Sequence, residues 1–320
     1  MPAPVFLTRQ KLFFSRRRNM AAITSEQVRD LRTQTGAGIM DCKSALNESA
    51  GDIAKAVEIL RKKGLAGLAK RAGRTMKEGV VVAKTSADGK TASFLELNCE
   101  TDFVAKNPDV TGLAAALATD MLADASLENP AESEKAKERL QAVAMKMGEN
   151  MQIRRGVVYH TGVNSAANYY VHNDNRKGAI VEIGFDGDLA AAKAELETLA
   201  KELAMQSVAM SPKYLKREEV PADLVEKERE IYKAKMQKDD EDAKALSAET
   251  GKPYKVKPPE AVAKMLEGRV NKYFQESCLL EQASIRDSKM TVSQAVKNVS
   301  AKLGGNVTVK RFNCFVVGVE

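Results

Sequence analysis

The stretch "GVVVAKTSADGKTASFLELNC", Gly79 to Cys99, is where the chain changes its period. Two β-rich runs flank Asp88-Gly89, the pattern of a hairpin. The second run leads into "NCETDFVAKN", Asn98 to Asn107, and Asn107-Pro108 reads as a helix start. Asp102 and Phe103 therefore fall in a short turn between a strand and a helix. A charge and a bare aromatic ring side by side at such a corner need an explanation.

Outward toward the N-terminus, residues 24–63 read as a three-helix unit. Thr24 and Gln27 have capping-box spacing, and Val28 and Leu31 supply an apolar edge. Gly36 and Gly38 break the pattern, and a second helix is expected from about Met40 to Leu46. Asp52 caps a third helix carrying Ile53, Val57 and Leu60, with Gly64 as its stop. Residues 65–78 read as a partly helical linker. Its basic residues (Arg61, Lys62, Lys63, Lys70, Arg71, Arg74 and Lys77 lie in or beside it) have no interleaved aromatics, so a solvated segment is the simpler reading than an RNA contact.

Outward toward the C-terminus, a helix is expected from Pro108 to about Ala125, and a further one in "PAESEKAKERLQAVAMKMGE". A second "GVV", Gly156 to Val158, opens a new run of strands through "YYVHN" and "GAIVEIGF", followed by a helix from about Leu189 to Met210. The order of strands and helices thus occurs twice, which implies a weak internal duplication. "PADLVEKEREIYKAKMQ" and "EAVAKMLEGRVNKYFQE" are amphipathic and charged, and the polar "KDDEDAKALSAETGKPYKVKPP" joins them. They imply a projecting antiparallel helical hairpin. From Ser277 the chain reads as strand, helix, Gly-Gly turn and strand.

Composition narrows the function. A chain of 320 residues with 44% hydrophobic and 29% charged content suits two or three domains. The net charge of +7 looks like a nucleic-acid signal, but residues 1–19 hold five basic residues and no acid. Without those five, 45 basic residues face 43 acidic ones, too near neutrality for a broad phosphate-binding face. Residues 1–19 read as a disordered extension or as sequence preceding a start at Met20, with an organelle transit peptide as the alternative. The expected compartment is the cytoplasm, or the mitochondrial matrix or plastid on that alternative. Cys42, Cys99, Cys278 and Cys314 form no C-x-x-C pair and read as reduced, mostly buried thiols.

No catalytic constellation is present. His160 and His172 have no partners at zinc spacing. There is no G-x-S-x-G elbow and no phosphate loop, and "GAGIMD" has Asp41 where a dinucleotide fingerprint needs its third Gly. No covalent chemistry, metal or cofactor is expected. The remaining signals are surfaces for another protein.

At this point several segments resemble one family. "LRTQTGAGIMDCKSAL" (31–46) with "GDIAKAVEILRKKG" (51–64) is similar to the opening domain of elongation factor Ts. "NCETDFVAKN" is similar to its central signature, and "LAMQSVAMSPKYL" (203–215) and "KMLEGRVNKYFQE" (264–276) resemble two later segments in the same order. The resemblance runs from about Met20 to the C-terminus. It implies a guanine-nucleotide exchange factor that binds elongation factor Tu, with no membrane and no direct nucleic-acid partner. Thr101, Asp102, Phe103 and Val104 match the family's magnesium-displacing turn. Ile39 and Met40 match an apolar docking tip, and Gln206 lies in a segment matching another partner contact. The hairpin tip around 238–259 is longer than the family pattern, and the chain stops at "FVVGVE", where many members continue. Without the resemblance, Phe103 folded onto its own core and Asp102 as an ordinary turn or capping acid are the simpler readings. A ubiquitin-associated-type peptide-binding scaffold and an RNA-binding translation factor are the alternative functions.

The expected architecture is α+β. A 1–19 extension precedes a three-helix, ubiquitin-associated-like domain at 20–64 and a linker at 65–78. A duplicated sheet-plus-helix core follows, one half at 79–155 and the other at 156–220 with 278–320. The helical hairpin is inserted at 221–277.

Overall fold

The computed structural model describes residues 23–71, 73–251 and 253–319. The extension expected at 1–19 lies outside the described residues. The chain divides into two compact units, one ending at Lys70 and the other beginning at Arg71.

The first unit holds α1 (Ser25–Thr35), α2 (Ile39–Glu48) and most of α3 (Ile53–Arg71). Thr24 and Gln27 form the capping box that starts α1, and Gly36 ends it with a left-handed φ of 68°. Leu31, Cys42, Ala45, Leu46, Ala56 and Leu60 make the core. The expected stop at Gly64 is a misreading, because α3 continues through Gly64 and Gly67 to Arg71. The Ala, Leu, Lys and Arg around these glycines are strong helix formers and offset the ~1 kcal/mol each glycine costs.

The second unit is built on two three-stranded antiparallel sheets. The first has the order β1-β2-β3: β1 (Glu78–Thr85), β2 (Thr91–Cys99) and β3 (Met151–His160). The second has the order β4-β5-β6: β4 (Ser165–Val171), β5 (Lys177–Phe185) and β6 (Val307–Val316). Alternation along each strand sends one face to helices and the other to the opposite sheet. On β2, Leu95, Leu97 and Cys99 pack under α4 (Asp102–Ala105), α5 (Pro108–Asp120) and α6 (Glu134–Met147). On β5, Val181, Ile183 and Phe185 pack under α7 (Leu189–Met210) and α10 (Val292–Leu303). Between the sheets lie Val81, Phe94, Tyr159, Ile180 and Phe315, with the rings of Phe94 and Phe315 stacked 4.2 Å apart. Gly178 permits this approach, since a Cβ there would stand 3.0 Å from both Phe94 and Val81.

The two sheets repeat one device. Glu96 on β2 faces Arg155 on β3, and Glu182 on β5 faces Arg311 on β6; a β-bulge follows each glutamate. Each buried carboxylate accepts from the arginine Nε at 2.7 Å and from one more donor, Asn98 Nδ2 in the first sheet and the Ser165 hydroxyl in the second. The arginines then cross over. Arg155 lies on the Phe315 ring, 4.4 Å from its centre, and Arg311 on the Tyr159 ring at 3.9 Å.

The repeat is phased differently from the sequence expectation. Each half is a hairpin, then helices, then a third strand that joins the hairpin's second strand. The second "GVV" therefore closes the first half, with Val157 opposite Phe94, and a boundary between 155 and 156 would cut β3. The change of sheet falls at 161–164.

Two further readings shift. Residues 278–281 are no strand but an isolated bridge, Tyr214 to Cys278, and one turn of 3-10 helix whose Leu279 is buried. The first helix of the pair, α8 (Ala222–Thr250), continues far beyond Gln237, and α9 runs from Pro259 to Ser277. In the part of the segment read as polar tip up to Thr250, three Ala, two Lys, two Glu and Leu246 favour helix and outweigh three Asp, and Gly251 with the prolines beyond it ends the run. Arg217 fixes the root of the pair by a bidentate bond to Glu281 at 2.7 and 2.8 Å, a bond to Asn271 at 2.9 Å, and contact with the Phe274 ring.

Candidate functional site

Where β2 ends, the ladder stops but the alignment does not. Cys99 is the last residue paired with β3, opposite Met151. Continuing that register sets Glu100 opposite Asn150 and Thr101 opposite Glu149. Side-chain carboxylates replace the missing ladder bonds. The Asn150 N–H donates to Glu100 at 2.8 Å, and the Thr101 N–H and hydroxyl donate to Glu149 at 3.0 and 2.7 Å. Arg74 pairs with Glu100 at 3.1 Å. The Asn150 bond, then Arg74, hold the Glu100 carboxyl below its ordinary value.

Thr101 also starts α4, its hydroxyl accepting from the Val104 N–H at 3.4 Å. The sequence reading placed a turn here, and the structure makes it a single helical turn. That geometry sorts its side chains. Ala105 is buried and Val104 packs partly into the core beneath. Phe103 projects the other way and is 82% exposed. The reading of Phe103 as a core ring thus does not describe this turn, whereas Asp102 stands in the first turn of α4, where an ordinary turn acid is also at home. Asp102 bonds Lys106 one turn on, at 2.8 Å, which holds its carboxyl below the ordinary value. Below the turn the Cys99 thiol donates to the Thr101 carbonyl at 3.1 Å, and burial pushes it up to about 12, so it stays protonated and inert.

In the first unit, Ile39 and Met40 open α2 after Gly38 and are 55% and 72% exposed, while Cys42, Ala45 and Leu46 on the same helix are buried. Helical spacing accounts for the split.

Gln206 is the exception among the expected contact residues. It is 2% exposed, and its amide is used inside the molecule. Nε2 donates to Gln282 Oε1 and the Ala283 carbonyl, both at 3.1 Å, and Oε1 accepts from the Ile285 N–H at 2.8 Å. It staples α7 to residues 282–285 and offers no docking surface.

Glu149, Glu100, Arg74 and Lys106 were missed as parts of the site. In "MKMGENM" Glu149 reads as an ordinary acid after a helix, and only the β2–β3 register reveals it. His160 and His172 are exposed and stand beside Glu128 and Asp174 at 3.1 and 3.2 Å. Cys42, Cys99 and Cys278 are buried free thiols, and Cys314 is half-buried and free. Among the described residues no helix is long and apolar enough to cross a membrane.

A family model described as Elongation factor TS matches residues 100–319. The chain is 41% identical to the elongation factor Ts of Symbiobacterium thermophilum over 92% of its own length and 91% of the relative's. It is 41% identical to that of Clostridium botulinum strain Alaska E43, over 92% and 93%, and 39% identical to that of Trichlorobacter lovleyi, over 93% of each.

Proposed function

We propose a division of labour within a chain that belongs to the elongation factor Ts family and is therefore a translation elongation factor, the nucleotide exchange factor of elongation factor Tu. In this reading Thr101 to Val104 form a wedge that displaces magnesium and loosens the nucleotide site. Ile39 and Met40, on a ubiquitin-associated-like three-helix domain, supply docking affinity. Membership of the family disfavours the peptide-scaffold and RNA-binding readings. The reading sets the protein in the cytoplasm, beside translation.

The observation that carries the wedge is Phe103, an exposed ring on a turn whose base is fixed. An exposed Phe contributes nothing to its own fold and has surface left to bury elsewhere. The partner holds GDP through its phosphates and a magnesium ion, often the largest local charge in such a site. A ring entering there excludes one arrangement of the site, and a carboxylate beside it competes for the cation's surroundings. Coupling is reciprocal, so nucleotide weakens the factor as much as the factor weakens nucleotide, and GTP can release the complex.

Magnitudes require several contacts. Burying one Phe contributes ~1.5–3 kcal/mol. A thousandfold loss of nucleotide affinity needs about 4 kcal/mol. The wedge shares the work with docking contacts made elsewhere. The direct test is release of labelled GDP from elongation factor Tu with and without this protein. Acceleration that saturates with factor concentration is the expected outcome; no acceleration would remove the reading.

A further inference from the structure

We propose that Glu149 is a positioning residue for exchange, a clasp that fixes the angle at which the α4 turn presents Phe103. The inference rests on the wedge reading and deepens it. The turn follows the edge of a ladder that has run out of backbone pairs, so nothing in the sheet itself holds Thr101. The Glu149 carboxylate takes both donors Thr101 offers, the N–H at 3.0 Å and the hydroxyl at 2.7 Å. Two bonds from one carboxylate to one residue restrict rotation as well as distance, and bonds to an ionised acceptor are the stronger kind. The same Thr101 hydroxyl accepts from Val104, so the clasp and the first turn of α4 share an atom.

The arrangement is reciprocal. Glu100, from the turn, takes the Asn150 N–H, and Glu149, from the other side, takes Thr101. Glu100 has a second partner in Arg74, whereas Glu149 makes its bonds to Thr101 alone in the turn. Removing Glu149 therefore loosens the turn and leaves its base in place. A wedge that swings freely still docks with its partner but finds the productive pose less often. The signature is a lower saturated rate at an unchanged half-maximal concentration.

The test is stopped-flow GDP release from elongation factor Tu over a range of factor concentration, using the full chain. Glu149→Ala is expected to lower the saturated rate about tenfold, ~1.4 kcal/mol at the barrier, with the half-maximal concentration held within about twofold. Glu149→Gln still offers an oxygen to the Thr101 N–H and an amide to its hydroxyl, so it should restore most of the rate. Amide hydrogen exchange on the free protein should quicken at Thr101 and Val104 in Glu149→Ala, with the β1–β2 amides unchanged. Phe103→Ala combined with Glu149→Ala should be no slower than Phe103→Ala alone, because the clasp acts through the ring.

A normal saturated rate in a folded Glu149→Ala overturns the clasp, as does a Gln variant as slow as Ala, or losses that multiply in the double variant. If Glu149→Ala fails to fold, Thr101→Val decides the matter from the other end of the bond. It should slow the saturated rate, and a normal rate overturns the clasp. A slow Phe103→Ala beside a normal Glu149→Ala removes only the clasp, whereas a normal Phe103→Ala removes the wedge and the clasp together.

Discussion

The two halves of the core share a frame and differ in what they hang on it. Both have a hairpin and a returning strand. Both carry a buried glutamate before a bulge, an arginine opposite it, and an aromatic ring four residues after that arginine: Arg155 with Tyr159, Arg311 with Phe315. The chain leaving the central strand is where they part. After Glu96 the first half makes a four-residue helix that turns Phe103 outward; after Glu182 the second half enters the 22-residue α7 through an Asp188 cap. Counting from the two glutamates, Leu189 corresponds to Phe103, and Leu189 packs against the core. A stable base of the same kind occurs in both halves, and the exposed ring belongs to one of them.

The largest effect should come from the shared part. Glu96→Ala strips Arg155 and Asn98 of a fully buried acceptor, and Glu182→Ala does the same to Arg311 and Ser165. Each should cost about 2 kcal/mol in urea unfolding, the scale for leaving a buried donor without its acceptor, since the arginine left behind is only partly buried. The two losses should agree within ~1 kcal/mol, the usual scatter of context. A large loss in one half with none in the other would break the equivalence of the two halves.

The next effect separates the halves. Phe103→Ala should change stability by less than ~0.5 kcal/mol, as for an exposed site. It should slow saturated GDP release by about tenfold, given the burial a Phe can supply. Leu189→Ala should do the reverse, costing up to about 2 kcal/mol of stability while leaving the saturated rate of the folded protein near normal. Paired melts and stopped-flow traces of the two variants read this directly. A destabilised Phe103→Ala with a normal rate would make the ring structural and the corner no different from its counterpart.

How much of this was legible in sequence follows from which forces are local. Capping boxes, Gly turns and strand alternation act within a few residues, so Thr24–Gln27, the Asp88-Gly89 hairpin and the mixed helix-and-sheet class could all be read directly. Phasing the repeat could not, because it depends on β3 pairing back across helices α4 to α6 to Phe94 and Glu96. In sequence the pair "FLEL" and "IVEI" marks the two central strands, but two four-residue matches carry no weight until the strands are seen paired. Glu149 was hidden for the same reason, being 48 residues from Thr101. Gln206 misled because a resemblance assigns a segment to an interface without saying which of its side chains face in. The exposure of Phe103 and Ile39 was expected through the resemblance, since an apolar residue in a corner is by itself more simply read as core.

A smaller effect is expected at the other exposed apolar pair. Ile39 and Met40 sit at the start of α2, clear of its buried face. Replacing both with Ser should leave the melt of the helical unit unchanged. It should raise the factor concentration for half-maximal exchange about fivefold, roughly 1 kcal/mol of lost docking, and leave the saturated rate alone. That result would set docking apart from wedging, and a fall in saturated rate instead would merge them.

The smallest effect should come from the charge beside the ring. Asp102 is exposed and bonded to Lys106, and that bond lowers its carboxyl below the ordinary 3.8. A carboxyl depressed in this way stays ionised until the pH falls through its lowered value, so across pH 5 to 8 its titration should leave no mark on the exchange rate. Its charge can still act on a cation, and releasing Lys106 to do so costs little for an exposed pair. Asp102→Asn should therefore slow saturated GDP release, by less than Phe103→Ala does. The difference from wild type should disappear once magnesium is chelated, because the group the carboxylate disturbs is then gone. The Phe103→Ala deficit should persist under chelation, since a ring excludes volume whether or not the ion is present. A deficit of Asp102→Asn that survives chelation would assign the carboxylate to a contact with protein and leave Phe103 as the working part of the turn.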